Sequence, residues 1–149
     1  MTPTERKILA AFDANPQAEL PLATWASDAE AQSAIAPMIE RGWLRVRGAP
    51  QTVARTEDGR LQLAGPREVT LYSRPGCRLC EEAKTQIAPL LAEFGARLRE
   101  INIDEDPALR ARYDYDVPVI FLGARKAAKH RVDLKQFRRQ LKEAGEVES

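Results

Sequence analysis

The sequence predicts two domains: a small, mainly helical one, followed by an α/β one with the order β-α-β-α-β-β-α. Three observations predict this. Apolar residues recur at helical spacing in the first 41 positions and again over residues 77–94, but form short strand-like runs at 69–72, 98–103, 117–122 and 127–131. Gly65-Pro66 punctuates the chain just before the first of those runs. The length, 149 residues, suffices for two small domains.

In the first segment Thr4 is a candidate cap for a helix whose inner face is Ile8, Leu9 and Phe12. Asn15-Pro16 stops it, and Leu20, Leu22 and Trp25 predict a short second helix. Ser33 is a candidate cap for a third, with Ile35, Met38 and Ile39 facing in and Pro37 confined to its first turn. Gly42 closes that helix, residues 43–47 read as a strand, Gly48–Pro50 as a turn, and Thr52–Ala54 as a returning strand. Residues 56–60 lead into Leu61 and Leu63.

In the second segment Val69–Tyr72 reads as a strand and Cys77–Phe94 as a helix. Leu79, Ala83, Ile87, Leu90, Leu91 and Phe94 share one face, and Pro89 kinks the helix or removes a hydrogen bond. After Gly95 come a strand over 98–103, a cap at Asp106 with Pro107 at the first helical position, and strands over 117–122 and 127–131. Asp133 caps a last helix that turns Leu134, Phe137 and Leu141 inward. Residues 146–149 read as a loose tail.

Composition narrows the function. Apolar content of 44% and charged content of 30% are those of a soluble globular protein, and a net charge of +1 gives no dominant field toward nucleic acid or membrane. Charges interrupt every apolar run near the N-terminus, so no secretory signal is read, and no run approaches the ~18 residues of a membrane span. A cytoplasmic location is expected. Both cysteines fall in the stretch YSRPGCRLC, residues 72–80. In a reducing compartment they argue against a permanent structural bridge. They leave thiol exchange, a metal site, an iron–sulfur cluster shared between two copies, or inert buried thiols. A zinc site needs about four ligands, and His130 is the only histidine, here read as a surface residue.

Three short helices followed by a hairpin, ending in IERGWLRVRG and VARTEDGRLQL, resemble a winged helix-turn-helix domain over about residues 1–64. Residues 1–65 hold seven Lys/Arg and eight Asp/Glu, a net of −1, and the helix that would enter a groove carries Asp28, Glu30 and Glu40 against Arg41. Phosphate contacts need Lys or Arg, so a structural or protein-contacting role is favoured over DNA binding. Arg45, Arg47, Arg55 and Arg60 cluster in the wing.

The stretches LYSRPGCRLC, INIDEDPALRARY and VPVIFL together resemble the small bacterial glutaredoxin-like proteins over about residues 67–145. The resemblance implies a thioredoxin-like fold, a mixed four-stranded sheet with helices on both faces. It implies thiol-disulfide exchange with Cys77 as nucleophile at a helix N-terminus, where the dipole and free N–H groups favour a thiolate, and with Cys80 as resolving thiol. Arg74 and Arg78 flank the thiolate as supports. Pro118 is implied to be cis, leaving the backbone of Val117 to pair with an extended substrate. No bound metal or organic cofactor is implied; reduced glutathione or another thiol supplies electrons, and the partners are protein or glutathione disulfides.

Several positions depart from the pattern of the common, glutathione-holding glutaredoxins. Arg78-Leu79 stand between the cysteines, Asp116 replaces a usual Thr, and Ala128–Arg131 lack the usual Gly-Gly. A negative Asp116 opposes the carboxylates of glutathione, so a protein thiol is as good an expectation. The alternative function is a redox-sensing regulator whose Cys77–Cys80 disulfide controls DNA or protein binding by the first domain.

Overall fold

A computed structural model describes residues 1–16, 18–48 and 51–148, with only the backbone described for 145–148. The turn expected at Gly48–Pro50 therefore rests partly on residues outside the described ones, as does Ser149. The chain divides into two compact units, Met1–Leu63 and Ala64–Ser149. No helix among the described residues is long and apolar enough to cross a membrane.

The first unit opens with α1, Pro3–Ala10, capped by Thr2 rather than Thr4. Pro3 explains the earlier start, because its fixed φ and missing N–H suit the first turn. Thr2 and Glu5 form a reciprocal capping box: Glu5 N–H donates to Thr2 Oγ1 at 3.1 Å and Thr2 N–H to Glu5 Oε1 at 2.8 Å. Where a second helix was expected, the chain makes a strand, β1 (Glu19–Pro21), and a single 3₁₀ turn, Leu22–Trp25. Pairing of β1 with a later strand outweighs the local helical pattern.

Helix α2, Ala29–Glu40, begins four residues before Ser33, capped by Asp28, whose Oδ1 accepts from Ala31 N–H at 3.0 Å. Pro37 thus lies inside the helix, beyond its first turn, and gives up the bond it would have donated to Ser33. Strands β2 (Leu44–Arg47) and β3 (Thr52–Arg55) pair antiparallel, and the sheet order is β1-β3-β2. The core joins Ile8, Leu9, Phe12, Trp25, Ile35, Met38, Leu44 and Val53. A short helix absent from the sequence reading, α3 (Glu57–Leu61), follows Thr56, whose Oγ1 accepts from Gly59 N–H.

Glu5 is buried and pairs with Arg41. The hydrogen bond from the Thr2 backbone holds its carboxyl below the usual range; burial opposes this, and Arg41 reinforces it. The native state therefore keeps Glu5 ionised where the unfolded chain would protonate it. Its contribution is fully present above the unfolded value, about 4.5, and is lost as pH falls through the lower native value. Glu5→Gln is expected to lower stability at neutral pH and flatten the acid limb of the stability curve. Denaturation followed by the fluorescence of Trp25 and Trp43, both tryptophans of the chain, reads this unit. An acid limb identical to that of the unsubstituted protein would rule the linkage out.

The second unit contains β4 (Glu68–Ser73), α4 (Arg78–Phe94), β5 (Arg97–Asn102), a 3₁₀ turn (Ile103–Glu105), α5 (Pro107–Tyr113), β6 (Val119–Leu122), β7 (Arg125–Lys129) and α6 (Leu134–Glu148). Its sheet order is β5-β4-β6-β7. Strand β4 runs parallel to β5 and antiparallel to β6, which pairs antiparallel with β7. A two-residue turn, with Leu122 opposite Arg125, pulls β7 forward of the expected 127–131.

Side chains alternate across β4 with period two. Val69 and Leu71 join Ala83, Ile87, Leu91, Phe137 and Leu141 of α4 and α6. Tyr72 faces the other way, stacked on Tyr113 of α5 at 5.0 Å and edge-on to Phe121 at 5.7 Å. Helices thus cover both faces. The buried row of α4 is Cys80, Ala83, Ile87 and Leu91. Leu79, expected to face in, is exposed because Cys80 takes the inward place one residue on; Leu134 of α6 is exposed as well. Pro89 is accommodated within an uninterrupted α4. Asp133 Oδ1 accepts from Gln136 N–H at 3.2 Å, and the helix it starts continues through residues 146–148, read from sequence as a tail.

Candidate active site

The site lies where β4 ends and β6 begins, and these two ends are adjacent because Tyr72 pairs with Val119. Beyond β4, Arg74-Pro75-Gly76-Cys77 makes a tight turn closed by Cys77 N–H donating to Arg74 O at 3.3 Å. Pro75 presets the second position, and Gly76, at φ +74°, supplies the left-handed third position of a type II turn. The turn delivers Cys77 to the N-cap of α4, its sulfur accepting from Cys80 N–H at 3.2 Å.

Cys77 and Cys80 are joined as a disulfide, with Cα atoms 5.2 Å apart. One helical turn sets that spacing. The two sulfurs differ in environment: Cys77 is half-buried at the mouth, whereas Cys80 is 2% exposed. The Val117–Pro118 bond is cis, and Pro118 O accepts from His130 N–H at 2.8 Å. Val117 itself is buried.

Arg74 and Arg78, expected beside the thiolate, hold carboxylates. Arg74 Nη2 reaches Asp104 at 2.9 Å, and its Nη1 reaches Asp114 Oδ1 at 2.7 Å and the Asp114 carbonyl at 3.2 Å. The hydrogen bond to Asp104, then that to Asp114, raises the Arg74 pKa, and the Asp104 carboxyl is lowered in turn by its bond to Arg74. Arg78 is exposed and pairs with Glu82 at 3.3 Å. Both cations are thus matched by carboxylates, and the hydrogen bond that Cys77 Sγ receives comes from the α4 backbone, at Cys80 N–H. Arg74 ties the cysteine turn to the 3₁₀ turn after β5 and to the loop before Pro118.

Asp116 pairs with Lys129 at 3.7 Å and lies 3.8 Å from His130 Nε2. His130 follows β7 and is half-exposed, at φ +66°. The sequence reading missed Asp104 and Asp114 as site residues. Their tie to Arg74 spans 30 and 40 residues of chain, beyond any local pattern.

A disulfide at a helix N-terminus beside a cis-proline, on a mixed sheet covered by helices, defines a thioredoxin-fold protein with a thiol-redox function. The chain belongs to the glutaredoxin-like domain family (DUF836), which matches residues 68–142. Uncharacterized proteins of Mycobacterium bovis and Mycobacterium tuberculosis are 32% identical over 76 residues, covering 48% of this chain and 78% of theirs. Among solved structures, protein Ne2328 of Nitrosomonas europaea is 31% identical, with a TM-score of 0.44 over 48% of this chain and 87% of that one. A protein of X. campestris is 34% identical, with a TM-score of 0.42 over 50% of this chain and 96% of that one.

Proposed function

We propose that the second unit catalyses dithiol–disulfide exchange through Cys77 as nucleophile and Cys80 as resolving thiol. The observation that carries this reading is the asymmetry of the pair: a reachable sulfur at the N-cap of α4 and a buried one already within bonding distance. In the reduced protein a Cys77 thiolate occupies the position of an N-cap oxygen, where α4 N–H groups stabilise it. It attacks a disulfide R–S–S–R′, forms a Cys77–S–S–R bond and expels R′–S⁻. The Cys80 thiolate then attacks Cys77 Sγ and expels R–S⁻, leaving the Cys77–Cys80 disulfide.

Two electrons pass to the substrate, and the two product thiolates take up protons. Reduced glutathione or another thiol, by two successive exchanges, returns two electrons to the pair. No bound metal or organic cofactor enters the scheme. Val117 and Pro118 line the groove for the incoming chain, a protein or glutathione disulfide, the Val117 backbone pairing with it. Arg74 acts at one remove, holding the cysteine turn against the loop before Pro118. The first unit's order, with α1, β1, the 3₁₀ turn, α2 and the β2–β3 hairpin, supports a winged-helix-like reading of that part.

The test is iodoacetamide labelling of the reduced protein against pH, with adducts located by mass spectrometry. Labelling of Cys77 alone, at a rate showing its thiolate well populated at neutral pH, is expected. Equal and slow labelling of both sulfurs would leave this unit a scaffold without exchange chemistry.

A further inference from the structure

We propose that Tyr115, together with Leu79, selects protein substrates that carry an apolar side chain next to the reacting cysteine. The proposal rests on the exchange activity above and names the substrate class of that site.

Tyr115 sits in the turn over 114–116 that leads into the cis Val117–Pro118 bond. That turn is held on both sides of Tyr115. Asp114 is bound by Arg74 at 2.7 Å, Asp116 N–H donates to Tyr113 O at 2.9 Å, and the Asp116 carboxylate pairs with Lys129. Yet Tyr115 is 88% exposed. Two residues earlier, Tyr113 is buried against Tyr72, so the core is closed without a second ring. A fixed backbone thus presents a free aromatic ring at the entrance to the cis-proline loop.

Leu79 makes the matching observation on the other loop. It stands between the two cysteines and is 40% exposed. Among the described residues of 64–149, the exposed large hydrophobic side chains are Leu79, Tyr115 and Leu134. Two of these three lie close in sequence to the disulfide and the cis-proline, where the exchange reading places a partner chain.

The charges around them point to the same occupant. Arg74 is matched by Asp104 and Asp114, Arg78 by Glu82, and Lys129 by Asp116. These pairings neutralise the cations flanking Cys77 and the Tyr115 turn, and Arg131, which shares a cleft with Leu79, adds one positive charge. Exposed apolar surface with a largely neutralised surround fits an extended polypeptide whose apolar residue covers Tyr115, with Leu79 adding apolar surface between the cysteines. Tyrosine suits this role because it brings large, rigid contact area at low entropy cost.

The test compares kcat/KM of the full chain for three probes. Two are synthetic peptides in which one cysteine, mixed-disulfide bonded to 2-mercaptoethanol, is flanked by Leu or by Ser. The third is bis(2-hydroxyethyl) disulfide. The Leu peptide is expected to exceed the Ser peptide by about tenfold, as for one aromatic contact at a binding hot spot. Tyr115→Ala is expected to erase that ratio, and Tyr115→Phe to keep most of it, since the ring makes the contact. Equal kcat/KM for both peptides, or a ratio that survives Tyr115→Ala, overturns the proposal. No turnover of any probe, including the small disulfide, overturns the exchange reading itself and this proposal with it.

Discussion

Cys77→Ser is expected to bring disulfide reduction down to the uncatalysed background, a loss of at least about a thousandfold, as for removal of a nucleophile. Cys80→Ser is expected to act differently. The N-cap sulfur of Cys77 still attacks, but no second sulfur follows, so a mixed disulfide on Cys77 accumulates. The two variants separate the steps because the structure gives the sulfurs unequal access, one at the mouth and one 2% exposed. Turnover of bis(2-hydroxyethyl) disulfide with a thiol donor reads the first variant, and the intact mass of the protein reads the second. Turnover retained by Cys77→Ser, or an adduct mapped to Cys80 in the unsubstituted protein, would reverse the assignment.

Gly59→Ala is expected to destabilise the first unit by about 3 kcal/mol, the upper end for overpacking a site that cannot relax. Gly59 lies within α3, where propensity alone favours alanine by about 1 kcal/mol. Packing reverses the sign. A methyl at this position would stand 2.2 Å from the carbonyl oxygen of Trp43. That oxygen is itself fixed, because it accepts from Thr56 N–H at 3.0 Å while Thr56 Oγ1 donates to the Gly42 carbonyl. Moving Trp43 aside costs these bonds. Chemical denaturation read by tryptophan fluorescence measures the effect, and an unchanged or raised midpoint would show that the hairpin yields freely.

The strands and helices of the second unit were legible where one periodicity ran without competition. Val69–Tyr72, the helix after Cys77 and the cap at Asp106 are local signals; local hydrogen bonds satisfy the helix and the cap, and β5 and β6 satisfy the strand. The first unit was harder. Leu20–Trp25 carries a helical pattern, but β3 offers it a partner strand. Asp28 outcompetes Ser33 as a cap because Pro37 is tolerated deep in the helix, against the rule that placed it in the first turn. Thr56 followed by two acidic residues was a visible cap signal, but the helix it starts is only five residues long, too short to show a periodicity.

At the site, the cysteine spacing and the start of α4 were readable. The direction of Leu79 was not, since a one-residue rotation exchanges it with Cys80. Nor was the engagement of Arg74, which depends on carboxylates brought close only by the sheet order β5-β4-β6. A flanking arginine in sequence says nothing of which anion it will find.

The outermost strands of the second sheet, β5 and β7, each end the ladder with a row of backbone groups that another chain could adopt. Both rows are studded with charge: Arg97, Arg99 and Glu100 on one, Arg125, Lys126 and Lys129 on the other. Adding a strand from a second copy would strip these side chains of water, and along β7 it would also bring like charges together. The second unit is thereby guarded against polymerising along its own flanks, and fibril growth from either border is disfavoured.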